Sequence, residues 1–170
     1  NGELDTRGSR GGGGNSVAGD VQMMTHGNGI VHEEFHSQDF TRTGGTLQMV
    51  QLWVNLREKD KGVKAGYQTL LKAQIPNVEL PLGAGTIRVI AGDYAGHQGG
   101  AKTFSPLNVW DVDLRAGQPA ELPLPDGHTT MFLVLRADAT VNTARDAGPR
   151  DLALFARPAE CPPVSSSTPP

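Results

Sequence analysis

Histidine and glutamate side chains are concentrated in one short stretch of the chain. His26, His32 and His36 fall within eleven residues, and Glu33 and Glu34 lie between the last two. Imidazole nitrogens and carboxylate oxygens bind divalent transition metals, and open coordination positions at such a site admit a substrate or dioxygen. This stretch is therefore the candidate for metal-dependent chemistry, and its local conformation decides which side chains meet.

The run from His32 to His36 spells HEEFH, a literal match to the H-E-x-x-H signature of zinc peptidases. That signature works only on a helix, where residues four apart share one face. Gly27 and Gly29 precede the run closely, and Asp39 and Arg42 stand where the extended zinc signature has Gly and His. The pattern disfavours a zinc peptidase, which is kept as an alternative.

In a strand, the same run places His32, Glu34 and His36 on one face and Glu33 and Phe35 on the other. On the inside of a small barrel, the first face offers part of a ligand set for a divalent metal such as non-haem Fe(II). One imidazole and one carboxylate do not complete a metal site. The competing interpretation is therefore a solvated acidic strand edge that binds no metal.

Strand-like segments separated by glycine-rich turns surround this stretch. The alternation near Val50 slips phase, as it does at a β-bulge, and a charged segment over 57–82 carries one predicted helical turn near 68–73. Residues 8–15 are predicted as a flexible hairpin loop. The predicted strands cover residues 2–7, 21–24, 30–36, 46–56, 86–90, 107–114, 120–124 and 130–135.

Composition favours the same fold class. The 22 Gly and 12 Pro together make one residue in five of the 170, against about 12% in average proteins. Because both residues destabilise helix interiors, a helical bundle is disfavoured and a sandwich or barrel of short strands is expected.

Charge and cysteine content limit the binding partners and the cellular compartment that we expect for the protein. A net charge of −3 without a basic stripe gives no sign of direct nucleic-acid binding. No apolar run reaches the roughly 18 residues of a membrane span. The single cysteine, Cys161, fits a reducing compartment. We therefore expect a cytoplasmic protein.

The surroundings of the histidines resemble the second metal motif of the pirins. These are bicupin proteins that include bacterial members similar to quercetin 2,3-dioxygenase. The resemblance rests on residues 18–37, AGDVQMMTHGNGIVHEEFHS, and extends over about residues 2–157. Further similar segments are 51–56 (QLWVNL), 66–68 (GYQ), 88–92 (RVIAG), 108–111 (NVWD) and 122–125 (LPLP).

The resemblance implies an all-β bicupin fold of jelly-roll barrels. Residues 1–56 would form the C-terminal portion of an N-terminal barrel that is incomplete, and residues 57–82 a connector. Residues 83–160 would form the C-terminal barrel, which binds no metal in this family and is expected to be incomplete as well. Residues 161–170, with four Pro, three Ser and one Thr, are expected to be a disordered tail.

The resemblance also implies a metal, usually iron, held by three histidines and one glutamate. By motif position, His32 and Glu34 are two of these ligands, and Glu34 is also the expected proton acceptor in catalysis. The other two ligands come from a His-x-His motif upstream of residues 2–7. Because the chain opens at Asn1 and not at Met, we expect that motif to precede it. No organic cofactor is expected.

The remaining histidines have weaker assignments. His26 either approaches the metal or lies in an exposed turn, since the family has a small residue at this position. His36 points to the same face as the ligands and is not a ligand in the family, so we expect it to lie next to the ligands or on the surface. His97 and His128 lie in glycine-rich turns and are expected to be solvated.

Three functions stay open at this point. The first is a metal-dependent dioxygenase that opens a small aromatic, flavonol-like substrate. The second is a non-enzymatic metal- or redox-sensing protein, because some pirins act as transcriptional cofactors through contacts with protein partners, which the sequence does not identify. The third is a fragment without a competent site, whose unpaired strand edges promote aggregation.

Overall fold

A computed structural model describes residues 2–142 and 145–155 of the chain, together with the backbone of Pro163–Ser166. Strands dominate, as predicted. They are β1 (Leu4–Gly8), β2 (Gly13–Ser16), β3 (Val21–Thr25), β4 (His32–His36), β5 (Gly66–Leu70), β6 (Asn77–Glu79), β7 (Gly85–Ala91), β8 (Asp93–Tyr94), β9 (His97–Gln98), β10 (Val109–Leu114), β11 (Pro119–Glu121), β12 (Met131–Leu133), β13 (Ala139–Val141), β14 (Arg145–Ala147), β15 (Leu152–Leu154) and β16 (Pro163–Ser166).

Helical structure is confined to single turns. The α-helix α1 covers Gln38–Thr43, and 3-10 turns cover Glu58–Asp60, Lys72–Gln74 and Pro81–Gly83. None of the helices in the described part of the chain is long and apolar enough to cross a membrane. The helical turn predicted near 68–73 is displaced, because residues up to Leu70 continue β5.

Contacts divide the chain into two compact units. The first comprises Asn1–Pro76 and Val89–Trp110, and the second comprises Asn77–Arg88 and Asp111–Pro170. The segment predicted as a connector contains strands β5 and β6. The domain boundaries inferred from the sequence remain a prediction.

The first unit is built from small antiparallel sheets. One sheet has the order β2-β1-β4, and β3 pairs with β5 in another. The glycine-rich segment predicted as a loop turns tightly between β1 and β2, where the Gly8 amide donates to the Gly12 carbonyl at 2.7 Å. The last part of this segment belongs to β2, so the loop is shorter than predicted.

The second unit contains a four-stranded sheet in the order β11-β16-β13-β14 and the pair β12-β15. Val134, Ala139 and Ala147 form its small core, with Leu114 and Phe132 packed against it. Strand β16 lies within the tail predicted to be disordered, and it differs from that prediction because it pairs with β11 and β13. Cys161 and the other residues of that tail lie outside the described residues.

Strand β7 shows why the strand predictions succeed where they do. Its residues are buried and half-buried in strict alternation from Gly85 to Ala91, as expected when successive side chains point to opposite faces. Ile87 and Val89 in this strand are fully buried. The sequence predicted a strand over 86–90, and the structure confirms it.

The strand predicted over 46–56 is wrong. The structure assigns no strand to residues 44–57. A strand exists only when a neighbour completes its hydrogen bonds, and the apolar pattern alone does not supply that neighbour. Six apolar side chains of this segment are therefore 38–79% exposed: Leu47, Met49, Val50, Leu52, Trp53 and Val54. We call residues 47–54 the exposed apolar segment.

The exposed apolar segment is expected to cause self-association, since contiguous exposed apolar surface marks interaction sites or aggregation liabilities. Replacing Val50, Leu52 and Val54 together with threonine should lower the apparent mass of the 170-residue chain in light scattering at high concentration. Val31 is 75% exposed and lies outside this segment, so Val31→Thr is the matched control and should leave the apparent mass unchanged. Equal association of the triple variant and the unchanged chain would contradict this expectation.

Candidate metal-binding face

Strand β4 lies beside β1 in a register that fixes which side chains meet. The antiparallel pairs are Leu4 with His36, Thr6 with Glu34 and Gly8 with His32. Cross-strand partners share a face, so His32, Glu34 and His36 project from the same side of the sheet. The strand interpretation of the HEEFH run is confirmed, and the helical one behind a zinc peptidase is wrong. In a strand, residues four apart are about 13 Å from each other.

The Thr6 hydroxyl links this face to the pair β3-β5. Thr6 is only 3% exposed, and its hydroxyl donates to the Gln22 Oε1 at 2.7 Å. The amide nitrogen of Gln22 in turn donates to the Ser16 hydroxyl. A buried hydroxyl must find a partner because losing one leaves its desolvation uncompensated. These bonds therefore hold β3 over the face that carries Glu34. We call this side, with His32, Glu34, Thr6 and Gln22, the site face.

His32 lies in a cluster of three rings. Its imidazole is 5.3 Å from the His26 imidazole, centroid to centroid, in an edge-to-face arrangement. The indole of Trp53 is 6.2 Å from His26. His32 is half-buried, whereas His26 is exposed and Trp53 is 79% exposed. The structure thus brings His26 next to a predicted ligand and also leaves it accessible to solvent.

His36 lies at the other end of β4 and has a different neighbour. Its ring is 5.3 Å from the Phe40 ring and nearly perpendicular to it. Phe40 belongs to α1, whose first turn is capped by the Ser37 hydroxyl accepting from the Phe40 amide at 3.1 Å. His36 shares the face of the ligands by register, but its contact is with this helical turn.

The opposite face of the same sheet carries a separate set of contacts. The Arg7 guanidinium is 3.8 Å from the Glu33 carboxylate and lies over the Phe35 ring at 5.0 Å. Glu33 is thereby turned away from the histidines. A cavity of about 460 Å³ follows the β1-β2 hairpin and is lined by Asp5, Arg7 and neighbouring residues, without His32 or Glu34. It is not the candidate site.

Sequence reasoning missed Tyr67 on β5. Its hydroxyl oxygen is buried and has no hydrogen-bond partner among the described residues. Burial is the main reason that its pKa is raised above 10.0, the nearby Thr69 and Thr6 hydroxyls oppose the rise, and the charge of Glu34 adds to it. Tyr67 was part of a segment that resembles the pirins, but only the pairing of β5 with β3 shows that it lies on the same side as Gln22.

The donors present fit part of a metal site. His32 and Glu34 offer an imidazole nitrogen and a carboxylate oxygen, which suit Fe(II) and similar ions. Within residues 2–142 and 145–155, no three side chains of His, Cys, Asp or Glu come close enough together to hold a metal ion. The described residues therefore supply two adjacent donors, and a full ligand set needs donors beyond them.

Comparison with known proteins identifies relatives of this arrangement. The model of the family described as Pirin matches residues 1–54. A protein of Pseudomonas aeruginosa named as a candidate quercetin 2,3-dioxygenase is 56% identical over 140 residues, which are 82% of this chain and 49% of that protein. Human pirin is 34% identical over 124 residues, 72% of this chain and 40% of the human protein. The chain thus spans about half, or less, of the length of these relatives.

A solved structure gives the same result for the fold. The crystal structure of a quercetin 2,3-dioxygenase from Acinetobacter baumannii is 43% identical, with a TM-score of 0.92 over 98% of this chain and 58% of that one. A Geobacillus kaustophilus protein, GK1651, is 26% identical with a TM-score of 0.85, over 97% of this chain and 66% of that one. The predicted all-β cupin fold is confirmed, and the chain belongs to the pirin family.

Proposed function

We propose that the chain supplies His32 and Glu34 to the divalent-metal site of a pirin-type dioxygenase, with Fe(II) as the metal and a flavonol-like aromatic molecule as the substrate. The observation that carries this proposal is the register of β1 and β4, which sets the two side chains on one face opposite Gly8 and Thr6. The relatives named for quercetin 2,3-dioxygenase support the choice of substrate class.

The surroundings of these two residues suit that chemistry. When bound, the metal supplies Lewis-acid and redox chemistry toward dioxygen and an aromatic hydroxyl. Glu34 is exposed, so its carboxylate is open to a molecule that arrives from solvent and can accept a proton from a hydroxyl group. The exposed Trp53 beside His26 offers a flat apolar surface for a planar ring.

The proposal is tested by turnover in the complete polypeptide that the gene encodes, loaded with Fe(II) without oxygen. On adding quercetin and dioxygen, we expect one O2 consumed per flavonol lost, measured with an oxygen electrode and by absorbance. The rate of oxygen consumption by the Glu34→Ala variant should be at least about 100-fold lower. The matched variant His128→Ala changes a histidine of the second unit and should retain it.

Two other results would each favour a different function. Tight metal binding without flavonol consumption would support the metal- or redox-sensing alternative. A polypeptide that retains no metal at all would point to a chain without a competent site.

A further inference from the structure

The Tyr67 hydroxyl has a buried oxygen without a hydrogen-bond partner among the described residues. Buried polar groups in native proteins are nearly always paired, and an exception calls for an explanation such as a missing ligand or a catalytic role. The ring itself is held firmly, because it packs on the backbone of the glycine-rich hairpin. A Cβ added to Gly12 would lie 2.7 Å from the Tyr67 Cβ.

Strand pairing shows which way the hydroxyl points. Tyr67 lies opposite Met24, and two residues further along β5 Thr69 lies opposite Gln22. Side chains two apart and cross-strand partners share a face, so Tyr67 lies on the side of Gln22. Gln22 in turn accepts the hydrogen bond from Thr6, which is the partner of Glu34. Tyr67 therefore belongs to the site face.

The electrostatics agree with this placement. Burial is the main cause of the raised pKa of Tyr67, and the charge of Glu34 adds to it. A tyrosine hydroxyl keeps its proton at neutral pH and is available as a donor.

We propose that the Tyr67 hydroxyl donates a hydrogen bond to an anionic oxygen of the aromatic molecule bound beside His32 and Glu34. This rests on the proposed function and deepens it, because it names the residue that selects a substrate with a deprotonated hydroxyl. The donor is buried, has no hydrogen-bond partner among the described residues and lies on the face that holds the predicted ligands. Such a group rejects analogues that lack the acceptor.

The test compares Tyr67→Phe with Tyr94→Phe in the complete polypeptide loaded with metal under anaerobic conditions. Tyr94 is the only other tyrosine of the chain; it is buried, and its ring meets the Trp110 ring edge to face at 5.5 Å between centroids. The probes are quercetin and the flavone that lacks only its 3-hydroxyl, and binding is followed by absorbance. We expect Tyr67→Phe to weaken quercetin binding about 10–100-fold, as for a hydrogen bond to a charged group. It should leave flavone binding unchanged, and Tyr94→Phe should leave both unchanged.

Two further measurements separate this role from a structural one. Because the hydroxyl has no hydrogen-bond partner in the described part of the chain, Tyr67→Phe should retain its metal and unfold at the same or a higher temperature. A lower unfolding temperature, a loss of metal, or equal weakening of both probes would overturn the proposal. If the unchanged protein binds neither probe, the proposed function fails and this inference fails with it. If it binds quercetin and Tyr67→Phe binds it equally well, only this inference is overturned.

Discussion

Replacing Glu34 or His32 with alanine is expected to release the metal from the complete polypeptide. Replacing a residue that only orients a metal ligand lowers metal affinity 10–100-fold. Removing a ligand itself should therefore lower metal affinity at least about 100-fold. Among the described residues, no third His, Cys, Asp or Glu side chain forms a metal-holding group with this pair. Metal content by mass spectrometry after gel filtration measures the loss directly.

The control for this experiment is a histidine that the site does not use. His128 follows Gly127 in a turn of the second unit, where its amide donates to the Pro125 carbonyl at 3.3 Å. The variant His128→Ala should keep the metal content of the unchanged protein. Unchanged iron in the Glu34→Ala variant would remove Glu34 from the ligand set and, with it, the reason to assign this face to a metal.

The 170-residue chain alone provides a second comparison. Because its described residues supply only two adjacent donors, it should bind divalent metal weakly. Titration calorimetry of the chain and of the complete polypeptide would then differ by orders of magnitude. Equally tight binding by both would show that the chain holds further donors, and those donors would have to be sought outside the described residues.

Which side chains of β4 share a face was predictable from the sequence, because this depends only on the alternation of side chains along a strand. Successive side chains alternate in any strand, so once residues 32–36 were recognised as extended, His32 and Glu34 had to share a face. The glycines of the preceding turn disfavoured a helix over residues 32–36 for a similarly local reason. The shared face of His32, Glu34 and His36 thus follows from short-range constraints, whereas the choice of His32 and Glu34 as ligands comes from the resemblance to the pirins. The structure adds the cross-strand partners of these two residues, Gly8 and Thr6.

Features that depend on pairing between distant segments were not predictable. Residues 46–56 have the composition and alternation of a strand, yet a strand also needs a neighbour, and nothing in the local pattern says whether one is present. Tyr67 illustrates the opposite case. Its own segment carries no metal-binding signal, and its importance arises only because β5 pairs with β3 and β3 is tied to β1 through Gln22 and Thr6.

A distant contact also explains why replacing Gly27 should damage the site. Gly27 lies between β3 and β4 with φ +47, a left-handed conformation that costs other residues about 1–2 kcal/mol. A Cβ there would collide with the Val63 carbonyl oxygen. That oxygen accepts the Asn28 amide at 2.9 Å, and losing such a bond costs about 0.5–1.5 kcal/mol.

The variant Gly27→Ala should therefore be destabilised by about 2–4 kcal/mol, which corresponds to roughly 5–15 °C in unfolding temperature for a protein of this size. Because the turn also sets His26 against His32, metal affinity should fall together with stability. Gly62→Ala is the matched control, since Gly62 neighbours Val63 but has open space around its Cβ position. Equal unfolding temperatures for the two variants would show that the turn adapts to a side chain. In that case the spacing of His26 and His32 would have to be maintained by the contact of their rings and not by the backbone of this turn.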